Sequence, residues 1–244
     1  MKAIKKTIYT LNVNSYSEKI TALTYPFIRD YAEKIGAAFH IIKDRKFPDW
    51  PITYEKLQIY ELGQENDWSI YVDSDALIHP DTIDFTTLLK KDTVCHFGKD
   101  LAGNRWKYDN YFLRDGRNIS SCNWFTISSD WCIDLWKPTE QTFGEVLAQI
   151  HPVLAEQKAG ILAPHLVDDY VLSRNIAKYG LKFTTCKDIL DDVDCGNPGK
   201  DNYFFHEYLV PEERKVSLIK ERLKLWGLAP WYFDIPEIVT KGAF

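Results

Sequence analysis

A buried strand that ends in two carboxylates constrains this chain more than any other feature. Trp68-Ser69-Ile70-Tyr71-Val72 is an uncharged, aromatic and β-branched run that stops at Asp73-Ser74-Asp75 before Ala76-Leu77-Ile78 turns apolar again. Two anions one residue apart at such a strand end need a counter-charge, because an unpaired carboxylate in a low-dielectric setting costs several kcal/mol. A divalent cation meets that need, and Asp-x-Asp is a hard oxygen site of the kind magnesium or manganese accepts. Asp192-Val193-Asp194 repeats the triplet in a stretch that reads as loop, so the strand in front is what gives Asp73 and Asp75 their weight.

The neighbouring stretches read as alternating strands and helices. Lys6 to Val13 forms a first strand, with Asn12, Asn14 and Ser15 as turn and cap residues after it. Ile20, Leu23, Phe27, Ile28, Tyr31 and Ile35 recur at helical spacing and Gly36 ends that helix, while Pro26 is expected to kink or divide it. Ala38 to Ile42 supplies a second strand, and a β-α-β beginning implies an α/β fold with a parallel sheet. Thr53 is a candidate cap for a helix through Leu57, Tyr60 and Leu62 that leads into the strand before Asp73. Ligands in such sheets collect beyond the carboxyl ends of strands, where Asp73 and Asp75 fall. Lys56 is either a solvated lysine of that helix or a cation reaching the same edge.

Further along, Thr93 to Phe97, Ser121 to Ile127 and Leu181 to Thr185 read as strands, and Ser129 to Trp136 and Thr139 to Ile150 as helices. Between Lys99 and Asn118 periodicity is lost and Arg105, Trp106, Lys107, Tyr108, Arg114 and Arg117 mix basic with aromatic character, which suits a lid or acceptor-binding loop. Asp168 and Asp169 open a helix that runs to Tyr179 and stops at Gly180. One of them is expected to be its N-cap, and the second is left to face the site as a base or substrate ligand. His206, among the aromatics of Asn202 to Tyr208, is by itself either a satisfied histidine or a ligand. Pro211 to Trp226 is the clearest helix, with Val216, Ile219, Leu223 and Trp226 as its apolar stripe and Lys220, Arg222 and Lys224 in its later turns. It either packs back on the domain or, with Trp231, Tyr232 and Phe233, meets a membrane or partner.

Composition excludes more than it selects. The 244 residues suit one domain over 1–210 with a C-terminal helix and aromatic tail over 211–244. A net charge of -5 argues against a dedicated nucleic-acid binder. Cys95, Cys122, Cys132, Cys186 and Cys195 show no Cys-x-x-Cys spacing, so neither a disulfide framework nor a zinc site is indicated. No stretch reaches the length of a transmembrane segment and nothing after Met1-Lys2-Ala3-Ile4-Lys5-Lys6 reads as a secretory leader. A cytoplasmic location is the expectation, and the Asn118-Ile119-Ser120 sequon then has no bearing on function.

With these neighbours in place, the chain resembles the GT-A fold glycosyltransferases, especially the small glycogenin-like, galactosyl- or xylosyltransferase-like and viral groups. The resemblance rests on Tyr54-Glu55-Lys56-Leu57, on Ile70 to Ile78 around Asp73-Ser74-Asp75, on Cys122 to Ile127, on Asp168-Asp169 and on His206, and spans roughly residues 6 to 208. Trp124 departs from the glycogenin-like pattern, where a glycine is common.

The resemblance implies a single Rossmann-like domain and a nucleotide-diphosphate sugar as donor, with a UDP-sugar the expected form. It implies manganese or magnesium held by Asp73, Asp75 and His206, and donor contacts from Thr10, Leu11, Asn12, Lys56, Ser74 and Asn123. An inverting mechanism further needs a base for the acceptor hydroxyl, a role open to Asp168 or Asp169. The acceptor implied is a glycan or other hydroxyl, with a modified nucleic-acid base as the alternative. Two rival readings stand beside it. Haloacid-dehalogenase-like phosphatases also place Asp-x-Asp after a strand, but normally after the first one and with Thr or Val where Leu77 stands here. A non-catalytic nucleotide-sugar-binding module is the other.

Overall fold

β1 (Lys6–Leu11) and β3 (Trp68–Val72) lie side by side in parallel at the middle of a sheet, and successive side chains point to opposite faces. Ile8, Ile70 and Val72 enter a core on one face, while Tyr9, Leu11 and Tyr71 enter a core on the other. Both faces are covered, which is why neither strand shows a polar side. The computed structural model describes residues 3–97, 123–152, 154–158, 160–192, 203–207 and 210–228.

The sheet runs β2 (Ala37–Ile42), β1, β3, β6 (Phe125–Ser129), β5 (Thr93–His96), β7 (Lys182–Thr185), with β6 alone antiparallel to the rest. The chain leaves β1 to form β2 on one side and β3 on the other. Strand order therefore reverses between β1 and β3, and the carboxyl ends at such a reversal are where open α/β sheets bind ligands. Because β6 is antiparallel, the residues just before it, Asn123 and Trp124, arrive at that same edge: the Trp124 carbonyl accepts the Asp73 N–H at 2.8 Å.

α1 (Glu18–Lys34) covers one face of the sheet and α5 (Val167–Tyr179) the other. α2 (Ile59–Leu62), α3 (Phe143–Leu147), α4 (Leu154–Lys158) and α6 (Cys186–Asp192) are short. α7 (Glu212–Leu225) lays Ile219 and Leu223 against Ile20, Leu23 and Phe27 of α1 and against Leu77 and Phe205. Those last two residues belong to a ribbon of β4 (Leu77–Ile78) and β8 (Phe204–Phe205), paired antiparallel with Leu77 opposite Phe205. Burying each large aliphatic side chain contributes roughly 1.5–3 kcal/mol, so this apolar seam is enough to seat α7 on the domain.

Several local expectations change. α1 runs through Pro26 unbroken, since one missing N–H is outweighed by the buried stripe of Phe27, Ile28 and Tyr31 beyond it. Thr53 is no cap: a 3-10 helix starts at Ile52 behind Pro51 and passes into α2. The stretch after β6 is likewise a 3-10 helix, Asp130–Trp136, broken at Cys132, and the helix expected over 139–150 is only α3, started by a Thr142–Glu145 capping box. A 3-10 turn, Ala163–Leu166, feeds α5, so Leu166 takes the cap position and Asp168 and Asp169 both lie inside the first turn. Asp192 ends α6, while Val193 and Asp194 lie outside the described residues, as do the loop over 99–118, the sequon, Cys122, Cys195, Tyr208 and the tail with Trp231, Tyr232 and Phe233. Cys95, Cys132 and Cys186 are free and buried, with the Cys95 and Cys186 sulfurs 3.5 Å apart. No helix among the described residues is long and apolar enough to cross a membrane.

Candidate active site

Ser74 fixes the turn that carries the two carboxylates. Its hydroxyl donates to the Leu11 carbonyl and lies 3.1 Å from the Thr10 hydroxyl, and its own carbonyl accepts from Thr24 Oγ1 at 2.5 Å. The turn is thereby tied to the end of β1 and to α1, and Ala76 N–H closes it on the Asp73 carbonyl at 3.0 Å. Leu77 pairs with Phe205, so the next residue on β8's side, His206, comes level with Ala76 and so beside Asp75. Its Nε2 lies 3.3 Å from Asp75 Oδ1 and 3.5 Å from Asp73 Oδ2. Trp124 stacks on the imidazole at a centroid separation of 4.9 Å and 19° between planes, and holds the ring edge towards the carboxylates.

Asp73, Asp75 and His206 each offer one ligand atom, and these atoms lie within 4.8 Å of one another. Two hard oxygens and one imidazole nitrogen at this edge fit a divalent ion such as manganese or magnesium, with room left in the coordination sphere for ligand oxygens. The remaining oxygens are already engaged. Tyr71 donates its hydroxyl to Asp73 Oδ1 at 2.6 Å, while Asp75 Oδ2 accepts from Tyr16 at 3.2 Å and pairs with Lys215 Nζ. Burial alone would push the Asp75 carboxyl up, but the bonds and charges of His206 and Lys215 outweigh it and hold the group well below the usual carboxylate range. Burial, reinforced by the neighbouring aspartates, pushes the Tyr71 and Tyr16 phenols up, so both remain hydrogen-bond donors.

Beneath this trio lies a second polar layer. Lys56 is only 2% exposed, donates to Asp168 Oδ2 at 2.7 Å, stands 4.0 Å from Asp73 Oδ1 and caps the Tyr71 ring at 4.4 Å. Burial opposes its charge, but Asp168 and Asp73 outweigh that opposition and raise its pKa. Lys56 therefore lies buried beside Asp73 and Asp168 and not on a solvated helix face. Asp168 is committed to this pair, although its Oδ1 is buried without a hydrogen-bond partner among the described residues. Asp169 is less buried and accepts the Asn123 Nδ2–H, which makes it the better placed of the two carboxylates to meet a ligand.

His96 backs that Asn123 contact. The ring is fully buried, its Nδ1 lies 3.3 Å from Thr126 Oγ1, and burial pushes its pKa down to about 3 against the nearby Asn123 side-chain oxygen, which favours the charged form. A carboxylate only accepts, so Asn123 must turn its NH₂ to Asp169 and its carbonyl towards His96. The folded protein keeps His96 neutral, whereas the unfolded chain protonates it near its ordinary value of 6.5. Stability is therefore present above that value and falls as pH drops towards 3, with a loss of about 3 kcal/mol at pH 4 from this group. Urea denaturation across pH 4–7 should show this slope in the wild type and a flatter one in His96→Gln.

The donor-side expectations are placed as follows. Thr10 and Leu11 end β1 as buried residues, and Asn12 N–H bonds the Ile42 carbonyl at 2.8 Å while its Oδ1 is buried without a hydrogen-bond partner among the described residues. Asn14 and Ser15 follow with φ of 58° and 53°, two left-handed non-glycine residues in succession that turn the chain back over the site and deliver Tyr16 to Asp75. Sequence reasoning missed Tyr16, His96 and Lys215. Lys215 did carry a signal: it lies four residues before Ile219 and eight before Leu223, in line with the buried face of α7 rather than with the solvated lysines.

No protein-family model and no curated protein matches the chain. Among solved structures it is similar to a glycosyltransferase involved in glycosylation of the major capsid of PBCV-1, at 12% identity and TM-score 0.48, over 88% of this chain and 99% of that one. It is similar to the galactosyltransferase LgtC, solved with donor and acceptor sugar analogs, at 12% identity and TM-score 0.49, over 91% and 95%. A Drosophila galactosyltransferase 7 mutant, solved with manganese, UDP-Gal and xylobiose, is 11% identical with TM-score 0.48, over 87% and 74%. At TM-scores below 0.5 these likenesses do not carry the functional reading, which rests on the residues of the site.

Proposed function

We propose that the chain is a metal-dependent glycosyltransferase that moves a sugar from a nucleotide-diphosphate sugar, a UDP-sugar in the expected form, to a hydroxyl acceptor, a glycan first among them. The observation that carries this reading is the convergence of Asp73, Asp75 and His206 at the carboxyl edge of a mostly parallel sheet, next to the point where its strand order reverses. Residues 1–210 would form the catalytic unit, with α7 seated on it.

In this reading Asp73, Asp75 and His206 hold manganese or magnesium. The ion supplies positive charge where the departing diphosphate oxygen becomes negative, which is worth several kcal/mol in the transition state. Thr10, Leu11 and Asn12 lie along the nucleotide at the end of β1, and Lys56 with Ser74 keeps the aspartate turn charged and in register. Asp169 is the base. The acceptor oxygen forms its bond to the anomeric carbon as the bond from that carbon to the diphosphate oxygen breaks, and the acceptor's proton passes to the Asp169 carboxylate. Asn123 positions that carboxylate, and Asp168, committed to Lys56, does not take the proton. A base of this kind contributes about a hundred- to ten-thousand-fold in rate, and a single displacement inverts the anomeric centre.

The test is thermal melting against nucleotide sugars and free nucleotides, each with manganese, magnesium or chelator. A ligand at about 100 times its dissociation constant stabilises the fold by about 2.7 kcal/mol, a readily measured rise in melting temperature. The expected result is a rise that needs both a divalent ion and one diphosphate nucleotide. A well-folded protein that shifts with none of them would overturn the reading.

A further inference from the structure

Asp75 divides its two oxygens between two different partners. Oδ1 faces His206 and the proposed cation position, while Oδ2 is taken by the Lys215 ammonium, with the Tyr16 hydroxyl also on it. Lys215 is as deeply placed as its partner: the side chains are 8% and 13% exposed. Among the described residues this carboxylate is the charge that draws its ammonium inside, since a buried charge without a partner is strongly disfavoured. The backbone that delivers it is held independently. Ile219 and Leu223, one and two turns further on, are wholly buried against α1 and the β4–β8 ribbon, and Lys19 of α1 pairs with Glu212 and Glu213 at the helix start.

The carboxylates around the site outnumber the lysines, with Asp73, Asp75, Asp168 and Asp169 facing Lys56 and Lys215, yet Asp75 already has a full counter-charge without any added ion. Lys56 answers Asp168, Lys215 answers Asp75, and Asp73 is left with the distant side of Lys56, the Tyr71 hydroxyl and the edge of His206. A divalent ion entering at Oδ1 would sit a carboxylate's width from an ammonium of the same sign, in surroundings that screen poorly.

We propose that Lys215 is the resident counter-ion of Asp75 and that a divalent cation binds by displacing it, so that α7 sets how tightly the site takes metal. This rests on the proposed cation site. It assigns α7 a function beyond packing: the free protein takes the cation weakly, and an anionic diphosphate arriving with the metal compensates the displaced ammonium, so that ion and nucleotide bind together far better than either does alone.

Mn²⁺ binding to the free protein, measured by titration calorimetry and by manganese electron paramagnetic resonance, tests this without any turnover. Lys215→Met keeps the apolar stem and removes the charge, and should bind Mn²⁺ at least about tenfold more tightly than the wild type, because a charge-assisted hydrogen bond no longer has to be broken. Lys215→Arg retains a competing cation and should stay near the wild-type affinity. Adding UDP should narrow the gap between Lys215→Met and the wild type. Equal or weaker Mn²⁺ binding by Lys215→Met overturns the displacement proposal alone, whereas no Mn²⁺ binding by any of the three proteins, with or without UDP, overturns the cation site as well. Should Lys215→Met fail to fold, the wild type decides: the side-chain ammonium resonance of Lys215 should shift or vanish by exchange when Mg²⁺ and UDP are added. An unchanged resonance while calorimetry records Mg²⁺ binding overturns the proposal.

Discussion

Lys56→Met is expected to destabilise the fold by about 3–5 kcal/mol, the usual consequence of removing one partner of a buried ion pair. Lys56 is fully enclosed, and its departure strands Asp168 in the interior at 7% side-chain exposure while taking the nearest full charge away from Asp73. The cost comes from the orphaned carboxylate more than from the lost bond. Lys56→Met combined with Asp168→Asn should therefore recover a large part of the loss, and a double-mutant cycle by urea denaturation isolates the coupling. A single-mutant loss under 1 kcal/mol would mean that water reaches Asp168 and that the pair is not truly buried.

The second large effect concerns binding. Asp75→Asn is expected to weaken Mn²⁺ binding by at least about a hundredfold, since even residues that only support a metal ligand cost ten- to a hundredfold when lost. The substitution keeps shape but removes the charge that both the cation and Lys215 need. It will also lower stability, because the Lys215 ammonium loses its carboxylate, and calorimetry must be run well below the variant's melting temperature. Retention of wild-type Mn²⁺ affinity in folded Asp75→Asn would remove Asp75 from the site.

Asp73 and Asp75 were legible in the sequence because their signal is local: a buried strand and the charges that end it are consecutive. The β-α-β start was legible for the same reason. His206 was legible only through the resemblance, since its place beside the aspartates depends on Leu77 pairing with Phe205, a register no periodicity reveals. Lys56 could not be told from a solvated lysine because the segment is a 3-10 helix, in which side chains do not fall on the faces that 3.6-residue spacing assigns. Asp168 and Asp169 looked like a cap because a carboxylate pair at a helix start usually is one, but the 3-10 turn ahead of α5 moved the true cap position to Leu166. Trp124, a departure from the resembled pattern, becomes intelligible once its ring is seen against His206.

The site's charges are gathered from far apart along the chain: Lys56 meets a partner 112 residues away and Asp75 one 140 residues away. By contrast, β1, α1 and β2 complete themselves within a single short excursion. During vectorial synthesis, then, the first βαβ unit can form while Asp73 and Asp75 still have neither histidine nor lysine beside them. Closing such long loops costs more entropy than closing short ones, though only logarithmically more, and Lys215 can reach Asp75 only once the chain is made as far as α7. All three side chains of the proposed cation site are therefore made before α7, whereas the ammonium that competes with the ion for Asp75 arrives only with that last helix.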